Sequence, residues 1–431
     1  MENNVHAPWM TTPATRAVVE ALTADDADVR FVGGCVRDAL LDRESDDIDV
    51  GTPDPPERVL ALLENAGIET RTVPRGIEHG TVTALADGEK YEITTLRRDE
   101  RTDGRHAEVA FTDDWREDAA RRDFTINSMS AAPDGALFDY FGGQEDLSAG
   151  RVRFVGDPAT RIAEDHLRLL RFFRFYAWYG EGEPDAAALT ACKDAAHTIP
   201  LFSSDKINAV PRLSFERAQK ELLKLLEAPD PSSSVRAMWA SGVLARLLPE
   251  TQRTEPLARL VAIESQVAQP DLIRRLAALN LDTHEDNAER RVDTRLLAGV
   301  WLQTGVDAGR LFSIASEATA LPASLDRRVQ RSRIYQSGKE RFRDAVLLAW
   351  ARDTENEIAW RAMLETIEQW EAPTFPLTGA DVLARGVPEG PEVGRLLKAA
   401  EDWWIDRDFT PDRAALLDRL DGLVTESRRE S

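Results

Sequence analysis

The sequence predicts an α+β fold: a head with a short mixed sheet and helices over residues 1–150, followed by an all-helical neck, body and tail. Three observations lead there. Runs rich in β-branched and aromatic residues, "VRFVGG", "DDIDVG", "GTVTALA" and "KYEITTLRR", fall in the first third of the chain. Beyond them, "TRIAEDHLRLLRFFRFYAWYG", "SFERAQKELLKLLEA", "SSSVRAMWASGVLARLLPE", "DLIRRLAALNL" and "ERFRDAVLLAWARD" repeat apolar residues every three and four positions, the spacing of amphipathic helices. With 431 residues, 42% of them apolar, the chain can bury a large core, and its length favours two to four domains. The patterning changes from strand-like to helical near residue 150, and turn-rich "GEGEP", "APDPSSS" and "APTFPLTG" put joints near 180–184, 228–234 and 372–379; the segments expected are 1–150, 151–228, 229–371 and 372–431.

Composition excludes several classes. There is no apolar run of about 18 residues, and "MENNVHAPWMTTPATR" lacks the charged start and apolar centre of a signal peptide, so a cytoplasmic protein with no membrane partner is expected. Cys35 and Cys192 are too few for a disulfide framework and sit in no zinc-binding pattern. A net charge of -22 argues against a nucleic-acid partner, since affinity for phosphate backbones comes from Lys and Arg, but salt adaptation produces the same balance. Charge alone therefore leaves the partner open.

In chain order, "VRFVGG" reads as a strand ending in Gly33 and Gly34, which permit positive φ and close backbone approach. The helix "CVRDALLD" follows, with Arg37 and Asp38 in its first turn, and its N–H groups suit an anion such as a triphosphate. In the next strand, "SDDIDVG", residues i and i+2 share a face, so Asp47 and Asp49 point together while Ile48 points inward. That pair is half of a site for a hard divalent cation, best matched by Mg²⁺; Glu44 and Asp46 read as solvated neighbours. A glycine turn for phosphates beside a strand carrying two aspartates is what holding a nucleoside triphosphate by its charged end requires. "PPERVLALLENAG" is a helix stopped by Gly67.

Further on, "RRDERTDGRHAEVAF" reads as an exposed, flexible charged loop. The helix "DDWREDAARRD" ends in Arg121, Arg122 and Asp123, with Asn127 close behind; arginine can grip phosphate, while Asp and Asn can bind ribose hydroxyls. In "AEDHLRLLRFF", Asp165 and Arg168 are three apart and share a helix face, a pair able to present hydrogen bonds to a base edge, or simply a salt bridge. Phe172, Phe173 and Phe175 are expected in the neck core. The stretch from Arg327 to Arg343 sets Arg327, Arg328, Arg331, Arg333, Lys339, Arg341 and Arg343 against one acid, Glu340; it is either a grip for RNA phosphates or a solvated face paired to acids elsewhere.

Taken together, "GGCVRDALLDRESDDIDVG", "LRRDERTDGRHAEVAF", "RRDFTINSM" and "EDHLRLLRFFRF" resemble, in order, the motifs of the class II tRNA nucleotidyltransferase and bacterial poly(A) polymerase family, within the polymerase-beta-like nucleotidyltransferases. The resemblance runs from residue 28 to 226, and the tail "LTGADVLARGVPEGPEVGRLLKAAEDWW" is similar to one found in CCA-adding members. It implies a polymerase-beta-like head at 1–150, a base-recognising neck at 151–228, an RNA-binding body at 229–371 and a tRNA-binding tail at 372–431. The implied activity is template-independent addition of CCA to the tRNA 3′ end from CTP and ATP, with release of pyrophosphate.

Asp47 and Asp49 would bind two Mg²⁺ ions, with Glu92 as third acid or as an ordinary solvent-facing glutamate. Gly33, Gly34, Arg37, Asp38, Arg121, Arg122, Asp123 and Asn127 would hold the nucleotide, and Glu164, Asp165 and Arg168 would select its base. The segment with Arg98, Asp103, Gly104, Arg105 and His106 would be the loop of members that add the terminal A. No DNA partner is implied, and six histidines without a His-Asp dipeptide speak against an appended phosphohydrolase. Poly(A) polymerase, an enzyme adding only the last A, and a non-catalytic RNA-binding protein stay open as alternatives.

Overall fold

The computed structural model describes residues 4–45, 47–71, 80–102, 107–199, 202–203, 206–207, 213–249, 251–279 and 307–430. The chain divides into two compact units, residues 1–254 and 255–431.

The first unit opens with helix α1 (Pro13–Leu22), capped by Thr12, whose hydroxyl accepts the Thr15 N–H at 3.1 Å. Then come β1 (Arg30–Val32), α2 (Gly34–Leu40), β2 (Ile48–Thr52), α3 (Pro56–Asn65), β3 (Glu69–Arg71), β4 (Thr81–Ala86) and β5 (Glu89–Thr95). Helix α3 stops as the sequence predicts: Gly67 turns left-handed at φ +70°, and the Ile68 N–H reaches back to the Leu63 carbonyl at 2.9 Å. Asp87 and Gly88, both at positive φ, form the two-residue turn that joins β4 to β5. With β8 (Ser130–Ala131) and β9 (Leu137–Phe138), these strands make a sheet in the order β3-β4-β5-β2-β1-β8-β9. The pairing of β2 with β5 is parallel, and the sheet's other described pairings are antiparallel. Helices α1 and α3 cover the apolar face, where Phe31, Val50, Tyr91 and Ile93 are fully buried. The opposite face carries the acids.

The segment expected as a loop is instead a β ribbon. Strands β6 (Arg97–Thr102) and β7 (Ala107–Phe111) pair antiparallel with a bulge between Asp99 and Arg101. Polarity and charge alone do not separate such a ribbon from a loop. Arg98 lies in β6; Asp103, Gly104, Arg105 and His106 lie outside the described residues.

After the ribbon, α4 (Trp115–Ala120), a 3₁₀ turn (Thr125–Asn127) and α5 (Gly143–Ser148) complete the head. The helical part of this unit holds α6 (Pro158–Glu164), α7 (Leu167–Tyr179), α8 (Ala186–Ala195), α9 (Phe215–Leu226), α10 (Ser232–Ala240) and α11 (Leu244–Leu247). A second correction lies here: "EDHLR" is not one helix. The chain leaves helical geometry at Asp165 (φ -145°, ψ 109°), whose carboxylate accepts the Leu167 N–H at 3.0 Å as α7 begins. Phe172, Phe173 and Phe175 are buried, as expected.

The second unit contains α12 (Glu255–Val267), α13 (Leu272–Ala278), α14 (Ala308–Thr319), α15 (Arg327–Ser337), α16 (Lys339–Arg352), α17 (Glu357–Gln369), α18 (Gly379–Leu383), α19 (Pro391–Ile405) and α20 (Arg413–Glu430). Helix α16 is its axis, with every residue from Asp344 to Ala351 buried. The charges buried beside it are matched: Arg274 bridges Glu264 and Asp344, both at 2.7 Å, and Arg275 donates to Glu264 at 2.8 Å. The C-terminal helices close around Trp404, Leu396, Leu416 and Leu420. Among the described residues no helix is long and apolar enough to cross a membrane.

Gly143 ties α5 to the turn that carries Asn127. A Cβ there would lie 2.2 Å from the Thr125 carbonyl oxygen. Gly143→Ala is expected to cost about 3 kcal/mol, read as a lower urea midpoint with unchanged slope.

Candidate active site

The site starts from strand register. In the parallel β2–β5 pair, Asp49 lies directly beside Glu92, and Ile48 beside Tyr91. Tyr91 is fully buried, so Glu92, one residue on, must face the other way, with Asp49. Asp47 joins them from the end of the strand: Lys90 Nζ stands 2.5 Å from Glu92 Oε1 and 3.9 Å from Asp47 Oδ1. Burial pushes the Asp49 carboxyl up to about 6; Arg122 opposes the shift, while Glu92 and Asp47 add to it. Among the described residues no three acids, histidines or cysteines are drawn together closely enough to cage a metal unaided. A cation that keeps waters and takes one or two carboxylates plus substrate phosphates needs no such cage. A carboxyl whose ionisation is opposed by burial and, to a lesser degree, by its acidic neighbours is the kind of donor a divalent cation would stabilise in ionised form. The residues present fit that group.

Above the acids lies the glycine turn. Gly33 is left-handed at φ +73°, its N–H donates to the Met129 carbonyl at 3.0 Å, and Arg122 Nη1 sits 2.7 Å from where its Cβ would be. Any side chain at Gly33 would displace that guanidinium. Arg121 and Arg122 are both aimed by one acid that sequence reasoning passed over, Asp118. Its Oδ1 accepts from Arg121 Nε at 2.8 Å, and its Oδ2 from Arg122 Nη2 at 3.1 Å. Asp118 is buried; burial opposes ionisation, yet Arg122 and Arg121 hold its carboxyl below the usual range. The signal was present in the sequence: an acid three and four residues before an Arg-Arg pair shares their helix face.

Arg37 and Asp38 are differently placed from the expectation of open nucleotide ligands. Arg37 is buried, with Nε and Nη2 on Asp38 at 2.9 and 2.7 Å and Nη1 on Asn127 Oδ1 at 2.6 Å. Asn127 Nδ2 donates to Asp123 Oδ1 at 3.0 Å, and Arg171 Nε donates to Asp123 Oδ2 at 2.7 Å. Tyr179, at the end of α7, closes the other side: its hydroxyl lies 3.0 Å from Asp38 Oδ1, and its ring lies 4.1 Å from the Arg37 guanidinium. The chain from Tyr179 through Asp38, Arg37, Asn127 and Asp123 to Arg171 thus joins α2, the 3₁₀ turn and α7. Asp123 remains ionised despite burial because Arg171 and the Asn127 amide hold its carboxyl down.

In the broken helix the expected pairing is exchanged. Arg168 Nη1 pairs with Glu164 rather than with Asp165, and its Nη2 donates to the Arg121 carbonyl at 3.3 Å. Asp165 Oδ2 instead meets Arg217 of α9 at 3.2 Å. Arg161, missed in the sequence, donates to the Arg121 and Arg122 carbonyls and to Glu164. Arg168 directly, and Glu164 through Arg161, are therefore tied to the Arg121–Arg122 backbone, while the Asp165 carboxylate turns to α9.

In the second unit the basic stretch is largely paired. Arg331 meets Asp408 at 2.6 Å, Arg333 meets Glu317 at 3.9 Å, Lys339 meets Glu371 at 2.6 Å, and Arg343 meets Glu368. Arg328 donates to the Asp406 carbonyl at 2.9 Å, while Arg327 and Arg341 are exposed. The sequence excess is offset by acids on neighbouring segments.

Known proteins match this architecture. Residues 29–153 match the family described as "Poly A polymerase head domain", and residues 206–254 match "Probable RNA and SrmB- binding site of polymerase A". The chain is 32% identical over 409 residues to "CCA tRNA nucleotidyltransferase 1, mitochondrial" of Mus musculus, covering 94% of this chain and 89% of that one. It is 30% identical to the "CCA-adding enzyme" of Levilactobacillus brevis, covering 93% and 96%. The fold matches that of the Bacillus stearothermophilus CCA-adding enzyme solved in complex with CTP, with a TM-score of 0.72 at 22% identity over 98% of this chain and 100% of that one.

Two outcomes follow from the geometry. Asp118→Asn leaves Arg121 and Arg122 without their shared anion, so KM for nucleotide should rise about tenfold or more. Asp49 must ionise to hold a cation, so divalent-metal affinity of nucleotide-free protein should fall as pH drops through about 6, with the carboxyl titrating near that value by NMR in metal-free protein.

Proposed function

The chain belongs to the CCA tRNA nucleotidyltransferase family, and on that footing we propose that it adds CCA to the 3′ end of tRNA from CTP and ATP, without a nucleic-acid template, releasing pyrophosphate. The observation that carries the reading is the acid face of β2 and β5 set beneath a glycine turn against which an arginine is packed. Asp47 and Asp49 would hold two Mg²⁺ ions, with Glu92 as the third acid. Bound there, the metal would lower the pKa of the RNA 3′-OH and neutralise the triphosphate and leaving pyrophosphate.

The chain's own groups supply the rest. Arg122, held by Asp118, offers Nη1 to phosphate oxygens at the Gly33–Gly34 turn. Arg121 lies beside it on the same acid. Arg37 and Asp38 spend their polar atoms on each other and on Asn127 and Tyr179, so their part is to fix the turn; Asp123 and Asn127 supply the polar atoms suited to ribose. Glu164, Asp165 and Arg168 select the base edge. For Arg168 to offer a donor to a base, it must give up part of its contact with Glu164 or with the Arg121 carbonyl, which makes base reading dependent on movement at the helix break. Segments 151–228, 229–371 and 372–431 act as neck, RNA-binding body and tRNA-binding tail, and the enzyme works in the cytoplasm.

The test uses tRNA transcripts ending before CCA, after C and after CC, with CTP, ATP or both, and reads product length. Growth by three, two and one nucleotides that then stops is expected, and Asp47→Ala should lower the rate by about 10³-fold or more. A ladder of adenylates on any RNA end would make it a poly(A) polymerase, the activity named in the matched head family. Reaction on the CC-ended transcript alone would make it an A-adding enzyme.

A further inference from the structure

The acid face holds one group that the reading above does not use. Lys90 lies on the same face of β5 as Glu92, two residues away, and at the β2–β5 edge it meets Asp47 one step before the Ile48–Tyr91 pair. Its ammonium thus bridges Glu92 Oε1 at 2.5 Å and Asp47 Oδ1 at 3.9 Å, spanning the two strands that carry the acids. Lysine is uncommon in this chain: seven of its 54 basic residues, the others being arginine. That difference matters chemically. An ammonium is a compact, hydrated point charge on a flexible four-carbon stem, whereas an arginine would bind carboxylates in a planar fork and leave less readily. Lys90 keeps 45% of its side chain exposed, so it can swing into water without opening the core.

We propose that Lys90 is the resident counter-cation of the acid site: it offsets part of the charge of Glu92 and Asp47 when no metal is bound and must be displaced for a divalent ion to enter. The inference rests on the metal reading of Asp47 and Asp49. Three carboxylates brought together without a cation repel one another, and in a head whose Asp49 is partly buried that repulsion is only partly relieved by Arg122. A tethered ammonium relieves more of it. It also sets a threshold, because a bare metal ion has to replace a charge that is already there. An ion arriving with a nucleoside triphosphate brings phosphate ligands of its own and gains Arg122 as a phosphate partner, so loading with nucleotide is favoured over loading with free metal.

The probe is Mn²⁺, followed by the loss of its free EPR signal on binding to the full-length protein without nucleotide, in about 50 mM salt where charge effects are weakly screened. Lys90→Gln, which keeps a polar side chain and loses the charge, should bind Mn²⁺ about tenfold more tightly than wild type, and Lys90→Arg, whose fork leaves less readily, should bind it no more tightly than wild type. The gain should shrink in about 1 M salt. The Mg²⁺ concentration giving half-maximal nucleotide addition should fall in the same order. Equal or weaker Mn²⁺ binding by Lys90→Gln, or equal tightening by Lys90→Arg, would overturn the proposal. Asp47→Asn separates the two claims: if it binds Mn²⁺ as well as wild type does, the metal reading itself falls; if it loses binding while Lys90→Gln changes nothing, only the role of Lys90 falls.

Discussion

Parallel strands cannot be joined by a tight turn, and in this head the path from β2 to β5 passes through α3, β3 and β4 before returning alongside. That detour sets Asp49 beside Glu92, two residues that lie 43 positions apart in the chain (92 − 49). Nothing in the acids themselves favours the juxtaposition; like charges side by side on a sheet are destabilising. The register is held from the other face. Tyr91, Ile93 and Val50 are fully buried, and the Tyr91 hydroxyl lies 2.9 Å from Thr15 of α1 and donates to Glu89 at 2.6 Å. A slip of one residue would bring Tyr91 to the solvent face and drive Glu92 into the core, so apolar burial imposes an arrangement that electrostatics opposes.

A second constraint ties the head to the helices that follow it. Asp123 is a buried carboxylate, and its cost is met by the Phe124 N–H, the Asn127 amide and Arg171 together. Arg171 and Arg174 in turn face Glu221 of α9, at 4.0 and 3.2 Å. Because each charge is satisfied only when its partners are in place, the glycine turn, the 3₁₀ turn and α7 are set as one unit rather than as three adjustable pieces. Arg37 illustrates the result. A basic residue just after a glycine turn reads as a phosphate ligand, yet here it is the joint through which Asp38 and Asn127 are held.

What the sequence makes legible is what periodicity and local turn chemistry encode. Asp47 and Asp49 share a face because strands alternate, Gly33 is left-handed because the turn needs it, and α3 ends at Gly67; each is a property of a few neighbouring residues. What stays hidden depends on contacts between distant elements. The partner of Arg168 cannot be read from i+3 spacing once the helix breaks at Asp165, since the break is stabilised by the Asp165 carboxylate, which accepts the Leu167 N–H and meets Arg217 of α9. The β6–β7 ribbon has the polarity of a loop because it lies outside the main sheet. Asp118 looks like one more acid on a charged helix until the Arg121 and Arg122 side chains are seen to close on it.

The basic stretch shows the same limit from the side of charge. Counted along the chain, seven cations face one acid; in space, Arg331, Arg333, Lys339 and Arg343 already have carboxylate partners. For a chain of net charge -22 to hold a polyanion, those acids matter more than the count of bases. Exposed ion pairs contribute about 0–1 kcal/mol each, so a phosphate can take the place of Glu371 or Glu368 at little cost in stability. The carboxylate left behind is still negative, however, and sits near the phosphate that replaced it. Binding RNA here would therefore exchange one anion for another instead of neutralising a free basic surface. Long-range attraction between the whole chain and RNA is then absent, and added salt, which screens the repulsion over about 10 Å at 0.1 M, weakens this contact less than it weakens a basic patch. An acidic enzyme can in this way keep a nucleic-acid substrate, provided that specific short-range contacts, and not net charge, carry the affinity.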